Sequence, residues 1–364
     1  MYLQKLSVLN FKNHSDSSIE LHPTINCFVG ENGSGKTNLL DAVYYLSFTK
    51  SFFTKRDQLN ITYDQPFMSI DGVFDHGDKS DHIQCAVKLG AKKVIRRNKK
   101  VYDKLSDHIG LYPLVMVSPT DNELLLSGSD VRRKYMDSVI SQFDKVYLNN
   151  LIAYNRLIAH RNALLKNQQN LSSGLQLYDD QIAPLCDYIH EKRRLFLDEL
   201  RPIFLNYYSR ISAKKEDVSI EYSSQLLDKS YLTQCIESRQ KDLALQFSTV
   251  GIHKDDLVFS LQKQLVKRAG SQGQQKTFLL ALKLAQFDFM KKALGYKPLL
   301  LLDDIFDKLD QARVQHLMEL IHNHHFGQLF VTDTNEQRTK TIFDNIKADF
   351  KIFHIKNGNV EKED

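Results

Sequence analysis

The amino-acid sequence predicts a mixed α/β fold, and three patterns predict it. Apolar residues alternate over residues 1–21, as they do in β-strands. Residues 25–48 run from a short apolar stretch through a glycine-rich loop into a helical pattern. From residue 130 onward, apolar residues recur at three- and four-residue steps, which is typical of amphipathic helices. We therefore expect an antiparallel β layer, a strand–loop–helix unit and an inserted helical subdomain.

The composition is that of a globular chain. Hydrophobic residues make up 42% and charged residues 26% of the 364 residues, which excludes a disordered chain and fits one or two domains. No apolar stretch approaches the roughly 20 residues that cross a bilayer, and no signal-peptide pattern begins the chain. The sequence therefore predicts a cytoplasmic protein with no membrane association. The four cysteines form no C-x-x-C pair, so neither a disulfide framework nor a zinc site is expected: Cys27, Cys85, Cys186 and Cys235.

Positive charge is concentrated in one short stretch. The net charge of the chain is only +5, but residues 88–104 carry eight basic residues against the single acidic Asp103. Such density predicts a footprint for a polyanion, with a solvated hairpin as the alternative. A competing polyanion surface would use basic residues further along the chain, namely Arg156, Arg161 and Lys166. The basic residues of the stretch are Lys88, Lys92, Lys93, Arg96, Arg97, Lys99, Lys100 and Lys104.

The first third of the chain carries most of the predicted strands. Within residues 1–21, the polar stretch 10–18 is interpreted as the connection between two strands. A strand at 25–29 and a helix at 37–48 flank the glycine-rich loop. Further alternation predicts strands near residues 67–74, 83–89, 94–102 and 114–117.

Two long helices are predicted in the middle of the chain. Residues 130–166 form one helix or two abutting ones, and a polar break at 166–174 separates them from a helix at 182–207. Pro202 is expected to kink the second helix. The two helices would pair as an antiparallel arm. Beyond the arm, the mixed pattern returns with strands at 257–261, 299–302 and 329–331 and a helix at 274–293.

The glycine-rich loop has the pattern of a phosphate-binding loop. Residues 30–37 read GENGSGKT, which matches G-x-x-x-x-G-K-[ST] between a predicted strand and a predicted helix. In such a loop the backbone N–H groups and the helix N-terminus face phosphate oxygens. Lys36 would reach the β- and γ-phosphates, and the Thr37 hydroxyl would ligate Mg²⁺. The sequence therefore predicts a nucleotide site.

A pair of carboxylates follows a buried strand near the end of the chain. Leu299–Leu302 is a run of four leucines, and Asp303 and Asp304 come directly after it. In an α/β sheet this carboxyl edge faces the ligand. Asp303 would hold Mg²⁺ and Asp304 would polarise the attacking water. The alternative is an acidic junction between a strand and a loop.

A third motif precedes the acidic pair. Residues 271–276 read SQGQQK at the start of a predicted helix, where Ser271 fits an N-cap and Gly273 permits close approach of an anion. A plain helix cap is the alternative. ABC-type ATPases place their signature motif in this order relative to a second nucleotide motif. Leu309-Asp310 then stands in the position of the D-loop, and the expected switch histidine is absent from residues 332–334.

Taken together, these motifs make the chain similar to the RecF family of bacterial recombination-repair proteins. The resemblance runs nearly from end to end. Where that family commonly shows arginine and proline, this chain has Lys12, Ile252 and Lys254. The stretches that carry the resemblance are residues 6–14, 30–52, 117–137, 153–166, 248–257, 271–276 and 299–310.

The resemblance implies a P-loop ABC-type ATPase head with a short helical lobe. Two ATP molecules would join two heads into a dimer, and slow, DNA-stimulated hydrolysis would release it. It further implies DNA as partner (duplex, gap junctions and single strand), RecR and indirectly RecO and RecA, gap repair and the SOS response. A scaffold for RecR with incidental hydrolysis, or another ABC-type ATPase such as a transporter subunit, remains an alternative.

The motifs and the resemblance together define the predicted domains and site. An N-terminal part of the ATPase lobe covers residues 1–130, a helical arm covers 131–244, and the C-terminal part of the lobe covers 245–364. Asp303, Asp304 and Lys36 are the catalytic candidates, and Thr37 and Asp303 are the Mg²⁺ ligands. The ATP-binding candidates are Lys12, Gly30, Glu31, Asn32, Gly33, Ser34, Gly35, Lys36, Thr37, Ser271, Gly273 and Gln274.

Overall fold

The computed structural model describes residues 1–167, 171–212, 216–306, 311–323 and 325–363. Its contacts divide the chain into two compact units. Unit 1 combines Met1–Asp121 with Gln286–Asp364, and unit 2 is the segment Asn122–Ala285 between them. The predicted domain division, with an arm at 131–244, stays a prediction.

The helices and strands fall into three consecutive stretches of the chain. The first contains β1 (Tyr2–Phe11), β2 (His14–Glu20), β3 (Ile25–Val29), α1 (Lys36–Phe48), β4 (Phe67–Asp75), β5 (Ser80–Lys88), β6 (Val94–Arg97), β7 (Lys100–Val101) and β8 (Leu114–Val117). The second contains α2 (Glu123–Leu126), α3 (Ser129–Ile140), α4 (Lys145–Asn167), α5 (Leu171–Ser212), β9 (Val218–Ser223), α6 (Tyr231–Leu245), β10 (Asp256–Leu261), β11 (Gln264–Leu265), α7 (Val266–Ala269) and α8 (Gln272–Leu294). The third contains β12 (Leu299–Leu302), α9 (Gln311–His322), β13 (Leu329–Asp333), α10 (Glu336–Asn345), β14 (Phe350–Lys356) and β15 (Asn359–Glu363).

Unit 1 is built from two sheets with α1 in their shared core. The first sheet has the order β2-β1-β4-β5-β6-β7, and all its neighbouring strands are antiparallel. The second has the order β15-β14-β3-β13-β12-β8, in which β14, β3, β13, β12 and β8 run parallel. Eleven of the thirteen residues of α1 are buried, because the helix is apolar on most of its surface. The predicted fold class, with its antiparallel β layer, is confirmed.

The parallel strands bring their carboxyl ends to one edge of the second sheet. Residues 299–302 of β12 are fully buried, as expected for a strand covered on both faces. The register pairs Leu302 with Val117 on one side and with Val331 on the other. Asp333 at the end of β13 pairs with Val29, the last residue before the glycine-rich loop. The loop and the acidic pair therefore lie at the same edge of one sheet.

Unit 2 contains the long helices α4 and α5, which fall within the predicted arm. Arg161 of α4 bonds Asp179 of α5 over 2.7 Å, whereas Arg193, further along α5, bonds Asp137 of α3 and Asp255. Both guanidinium groups are buried, and each is matched by carboxylates, as buried charge requires. A three-stranded sheet of order β11-β10-β9 completes the unit. Across the described residues, none of the helices is both long enough and apolar enough to span a membrane.

Several sequence predictions need correction. The predicted connection at residues 10–18 is wrong, because β1 continues to Phe11 and β2 begins at His14. The buried residues of β2 include His14 and Ser17, so its inner face lacks the apolar alternation that marks a strand. Residues 94–102 form two strands, joined by a turn in which Asn98 and Lys99 have positive φ. Residues 130–166 form two helices, which was one of the two alternatives.

Neither proline in α5 ends the helix, and part of the predicted polar break at 166–174 is helical. The helix α5 begins at Leu171 and continues past both Pro184 and Pro202 to Ser212, and the kink at Pro202 stays a prediction. The C-terminal half of the predicted break is therefore helical, and residues 168–170 lie outside the described residues. The strand β9 and the helix α6 were not predicted from the sequence.

Candidate nucleotide-binding site

The glycine-rich loop connects β3 to α1 in the way the motif predicts. Gly35 has φ of 119° and caps the first turn of α1. A Cβ placed on Gly35 would lie 2.7 Å from His14 Nε2, so the loop approaches β2 more closely than a larger residue allows. The N–H groups at the start of α1 and the positive end of its dipole favour an anion here.

Lys36 is buried at the start of α1, with 7% of its surface exposed. Its Nζ donates to the carbonyl oxygens of Gly30 and Glu31, each over 2.7 Å. The Lys36 ammonium group therefore lies against the glycine-rich loop, whose backbone N–H groups are predicted to bind phosphates.

Asp303 is the centre of a set of hydroxyl groups. Thr37 Oγ1 donates to Asp303 Oδ1 over 2.7 Å, Thr332 Oγ1 donates to the same oxygen over 2.9 Å, and Ser118 Oγ lies 3.5 Å from Oδ2. Burial raises the pKa of Asp303, and the hydrogen bonds from these hydroxyls oppose that shift. The structure therefore brings the two predicted metal ligands, Thr37 and Asp303, into direct contact.

The donor set fits Mg²⁺. A carboxylate and a hydroxyl are hard oxygen ligands, and Mg²⁺ is usually held by one or two carboxylates together with substrate phosphates and water. The described residues hold no cluster of three or more His, Cys, Asp or Glu side chains that could bind a metal on their own. A metal at Thr37 and Asp303 would therefore depend on nucleotide for its remaining ligands.

Asp304 has a backbone conformation that few residues adopt. Its φ is 49°, in the left-handed region. Its N–H donates to Thr332 Oγ1 over 2.8 Å, so this conformation is fixed from the neighbouring strand β13. Strain of this kind is commonly found at functional sites.

Residues 332–334 show what stands in place of the switch histidine. Asp333 is almost fully buried, and its carboxylate accepts from Arg338, from Thr339 Oγ1 and from the N–H of Asn335. These donors lie at the start of α10, so the Asp333 carboxylate stabilises that end of the helix. Thr332 was considered only as the place of a switch histidine, yet its hydroxyl contacts both members of the acidic pair. Its position at the carboxyl end of a parallel strand was the available signal.

Lys12 makes a different contact from the one that the resemblance implies. Its Nζ lies 2.6 Å from Asp41 Oδ2, and it lies near the rings of Phe11 and Phe53. The cation therefore pairs with the buried carboxylate of α1. A contact between Lys12 and nucleotide stays a prediction.

The signature residues lie in unit 2 and form a capping box at the start of α8. Ser271 Oγ accepts from the N–H of Gln274 over 3.3 Å, and Gln274 Oε1 accepts from the N–H of Ser271 over 2.7 Å. Gln274 also donates to Glu216. Ser271 itself is exposed and Gly273 is half-buried. The proposed D-loop residues Leu309 and Asp310 lie outside the described residues.

Comparison with known proteins identifies the class of protein first. A family model described as an AAA ATPase domain matches residues 1–358. The Smc head domain of Pyrococcus furiosus superposes with a TM-score of 0.58 at 17% identity, covering 100% of this chain and 96% of that one, a likeness of fold alone. The fold and the loop thus define a P-loop ATPase with an ABC-type head.

Relatives of higher identity identify the family. The DNA replication and repair protein RecF of Flavobacterium johnsoniae is 47% identical, over 98% of this chain and 100% of the relative. RecF of Phocaeicola vulgatus is 48% identical, over 99% and 98%. A solved structure of the recombination mediator protein RecF with ATP, of the RecFOR pathway, superposes with a TM-score of 0.89 at 27% identity, covering 100% and 97%. The chain belongs to the RecF family of DNA replication and repair proteins.

Proposed function

We propose that this protein is an ATP-dependent DNA-binding protein of recombinational gap repair and the SOS response. ATP joins two heads into a dimer on DNA, and slow, DNA-stimulated hydrolysis releases the dimer. The single observation that carries the proposal is the contact between Thr37 of the P-loop and Asp303, because it assembles the two halves of a nucleotide and metal site.

In this proposal the P-loop binds the phosphates, and Asp303 helps to hold the metal ion. The N–H groups of residues 30–37 receive the phosphates, and Lys36 neutralises charge on the β- and γ-phosphates. Thr37 and Asp303 would hold Mg²⁺, which would supply positive charge to balance the negative charge of phosphoryl transfer. Asp304 accepts the proton of the attacking water. Its half-buried position next to Asp303 supports this role.

Dimerisation depends on the signature motif. In the ABC class, the signature of one protomer faces the ATP held by the other. The exposed start of α8, with the Ser271 hydroxyl and the helix dipole, offers favourable interactions to a γ-phosphate. The energetic benefit ends when that phosphate leaves, so hydrolysis separates the protomers.

Membership of the family supports the proposed cellular role. We propose that the dimer binds duplex DNA, single strands and gap junctions in the cytoplasm, and that it acts with RecR, and through it with RecO, to load RecA. A scaffold for RecR with incidental hydrolysis is the alternative outcome of the test.

The first test replaces Lys36. Lys36→Arg keeps the charge but puts a planar guanidinium where the loop accommodates a compact ammonium. We expect ATP-dependent dimerisation and turnover both to fall at least tenfold, measured by light scattering and phosphate release. Lys79→Arg, at an exposed turn between β4 and β5, is the matched control. Hydrolysis at the wild-type rate in Lys36→Arg would refute the assignment of the P-loop. Dimerisation without any hydrolysis in the wild type would favour the scaffold.

A further inference from the structure

Three consecutive carbonyl groups of the P-loop are bound from outside the loop by two hairpin turns. Asn13 Nδ2 lies 3.4 Å from the oxygen of Gly33 and donates to that of Ser34 over 3.1 Å. The N–H of Gly358 donates to the same Ser34 oxygen over 2.8 Å. His14 Nε2 lies 3.0 Å from the oxygen of Gly35. Asn13 comes from the turn between β1 and β2, His14 is the first residue of β2, and Gly358 comes from the turn between β14 and β15.

These bonds matter because of what a P-loop requires. Its N–H groups have to converge on phosphate, so the carbonyl groups of the same peptides point away. Ser34 and Gly35 are buried, and buried carbonyl groups need donors. The Gly35 oxygen also accepts from the N–H groups of Asn38 and Leu39 in the first turn of α1, so His14 adds a further donor there. The Ser34 oxygen accepts from Asn13 and Gly358, and without these donors its peptide would gain hydrogen bonds by rotating, at the expense of the phosphate cradle.

We propose that Asn13 and His14 are positioning residues that, together with Gly358, hold the P-loop in its phosphate-binding conformation before nucleotide arrives. We call these three residues the P-loop clip. The inference rests on the proposed ATP binding and adds which residues outside the motif determine ATP affinity.

The orientation of the Asn13 amide is fixed by a second bond. Asn13 Oδ1 accepts from Asn38 Nδ2 over 2.7 Å, so the oxygen faces α1 and the NH₂ group faces the loop. The amide therefore presents a donor, and only a donor, to the carbonyl groups of the P-loop.

The tautomer of His14 follows from its partner. A carbonyl oxygen only accepts, so Nε2 carries the proton and donates to Gly35. The ring is fully buried, and burial lowers the pKa of His14. A neutral imidazole therefore supplies one hydrogen bond without placing a charge beneath the phosphate site.

The two turns are packed too closely to allow the loop much freedom. Gly358 has φ of 75°, and a Cβ on it would overlap the backbone oxygen of Asn13. A Cβ on Gly35 would lie 2.7 Å from His14 Nε2 and 2.9 Å from the Asn13 amide. Glycine at these positions permits direct contact between the P-loop and both turns.

The test compares variants that each remove one donor, and Asn13→Asp also adds a negative charge beside the P-loop. Asn13→Asp replaces the amide donor with a carboxylate of the same size, and His14→Phe keeps the ring but removes the N–H. Each should raise Kd and KM for ATP about tenfold, the value of one buried hydrogen bond, and should change kcat at saturating ATP much less. His14→Gln, whose side-chain N–H reaches to a similar distance as Nε2, should retain affinity within about threefold.

Controls separate positioning from folding. Asn345→Asp and His82→Phe make the same changes at exposed positions of unit 1 and should leave Kd and KM unchanged. Melting temperatures are measured without nucleotide. Asn13→Asp and His14→Phe with wild-type Kd and KM would overturn the proposal, whatever their melting temperatures, and so would equal losses in His14→Gln and His14→Phe. Failure of the wild type to bind ATP would instead refute the proposed function itself.

Discussion

The Thr332 hydroxyl donates to Asp303 Oδ1 over 2.9 Å. The same oxygen of Thr332 accepts from the N–H of Asp304 over 2.8 Å. One buried side chain of β13 thus orients the proposed metal ligand and fixes the left-handed backbone of the proposed base. It lies in the segment where an ABC-type ATPase often carries its switch histidine.

Removing the Thr332 hydroxyl should therefore slow hydrolysis. Thr332→Val keeps the shape and leaves the Asp304 N–H without its acceptor, so we expect kcat to fall about tenfold while Kd for ATP changes little. Thr332→Ser retains the hydroxyl and is the matched control. Equal kcat values for the two variants, measured by phosphate release, would show that the hydroxyl does not position the acids.

Asp304→Asn should separate binding from chemistry. It removes the proposed base but keeps the size of the side chain and the Asp303 carboxylate. Turnover should fall by about 100-fold or more, while ATP still binds and holds a longer-lived dimer. Dimer lifetime after dilution from ATP measures this, with the exposed Asp344→Asn as control. Unchanged turnover would remove Asp304 from the mechanism.

The basic residues between 88 and 104 fall into two groups. Lys93 lies 3.0 Å from Asp57, Arg97 pairs with Asp81, and Arg96 donates to the side-chain oxygen of Gln84. The remaining five are exposed: Lys88, Lys92, Lys99, Lys100 and Lys104. If this segment contacts DNA, the exposed lysines make the contacts.

Alanine at the exposed positions Lys88, Lys92, Lys99 and Lys100 should weaken DNA binding for all sequences. The log–log salt slope should become shallower by about 0.9 for each lost duplex contact. Alanine at Lys93, Arg96 and Arg97 should instead lower the melting temperature and leave the slope nearly unchanged. An unchanged slope in the four-lysine variant, with normal dimerisation, would mean that the segment is a solvated hairpin.

Fewer of the proposed arm residues can contact DNA than the sequence indicates. Arg161 is fully buried between Asp179 and Asp242, so it is not accessible to DNA. Arg156 and Lys166 are exposed. Only these two of the three proposed arm residues are available for the corresponding alanine test.

Acid should destabilise the protein through His253 of unit 2. Its Nε2 donates to the Ser248 oxygen over 3.0 Å, and its Nδ1 accepts from Tyr154 over 2.5 Å. Burial lowers the pKa of His253 from 6.5 to about 4. The unfolded chain takes up this proton near pH 6.5 and the folded chain only near pH 4, so stability is present above pH 6.5 and is lost as pH falls.

The loss across that interval is about 3 kcal/mol. Urea unfolding of the wild type between pH 7 and pH 4 should show it. His253→Asn, which cannot titrate, should show a shallower dependence on pH and lower stability at pH 7. Parallel pH profiles for the two proteins would assign the acid sensitivity to other groups.

Site residues that belong to local sequence motifs could be predicted from the sequence alone. The P-loop at 30–37 and the acids after Leu302 are local patterns, and the structure places Thr37 against Asp303 as those patterns predict. Thr332 stands 29 residues beyond Asp303, and its role depends on β13 lying beside β12. No local pattern specifies that order of strands.

The other differences between the sequence patterns and the structure arise at buried polar residues. His14 is at an inward position of β2, where the period of a strand predicts an apolar residue. Arg161 and Arg193 occupy helix positions that appear solvent-facing by residue type, yet each is buried with two carboxylates from other elements. Their partners are brought together only by the tertiary fold.

ATP, and not ADP, is expected to form the DNA-binding dimer. Dimer mass and affinity for gapped duplex DNA should be measured side by side with ATP, with ADP and without nucleotide, in the wild type and in Asp304→Asn. We expect a dimer of high DNA affinity with ATP alone, persisting longest in Asp304→Asn. Equal mass and equal DNA affinity in all three nucleotide states would contradict it.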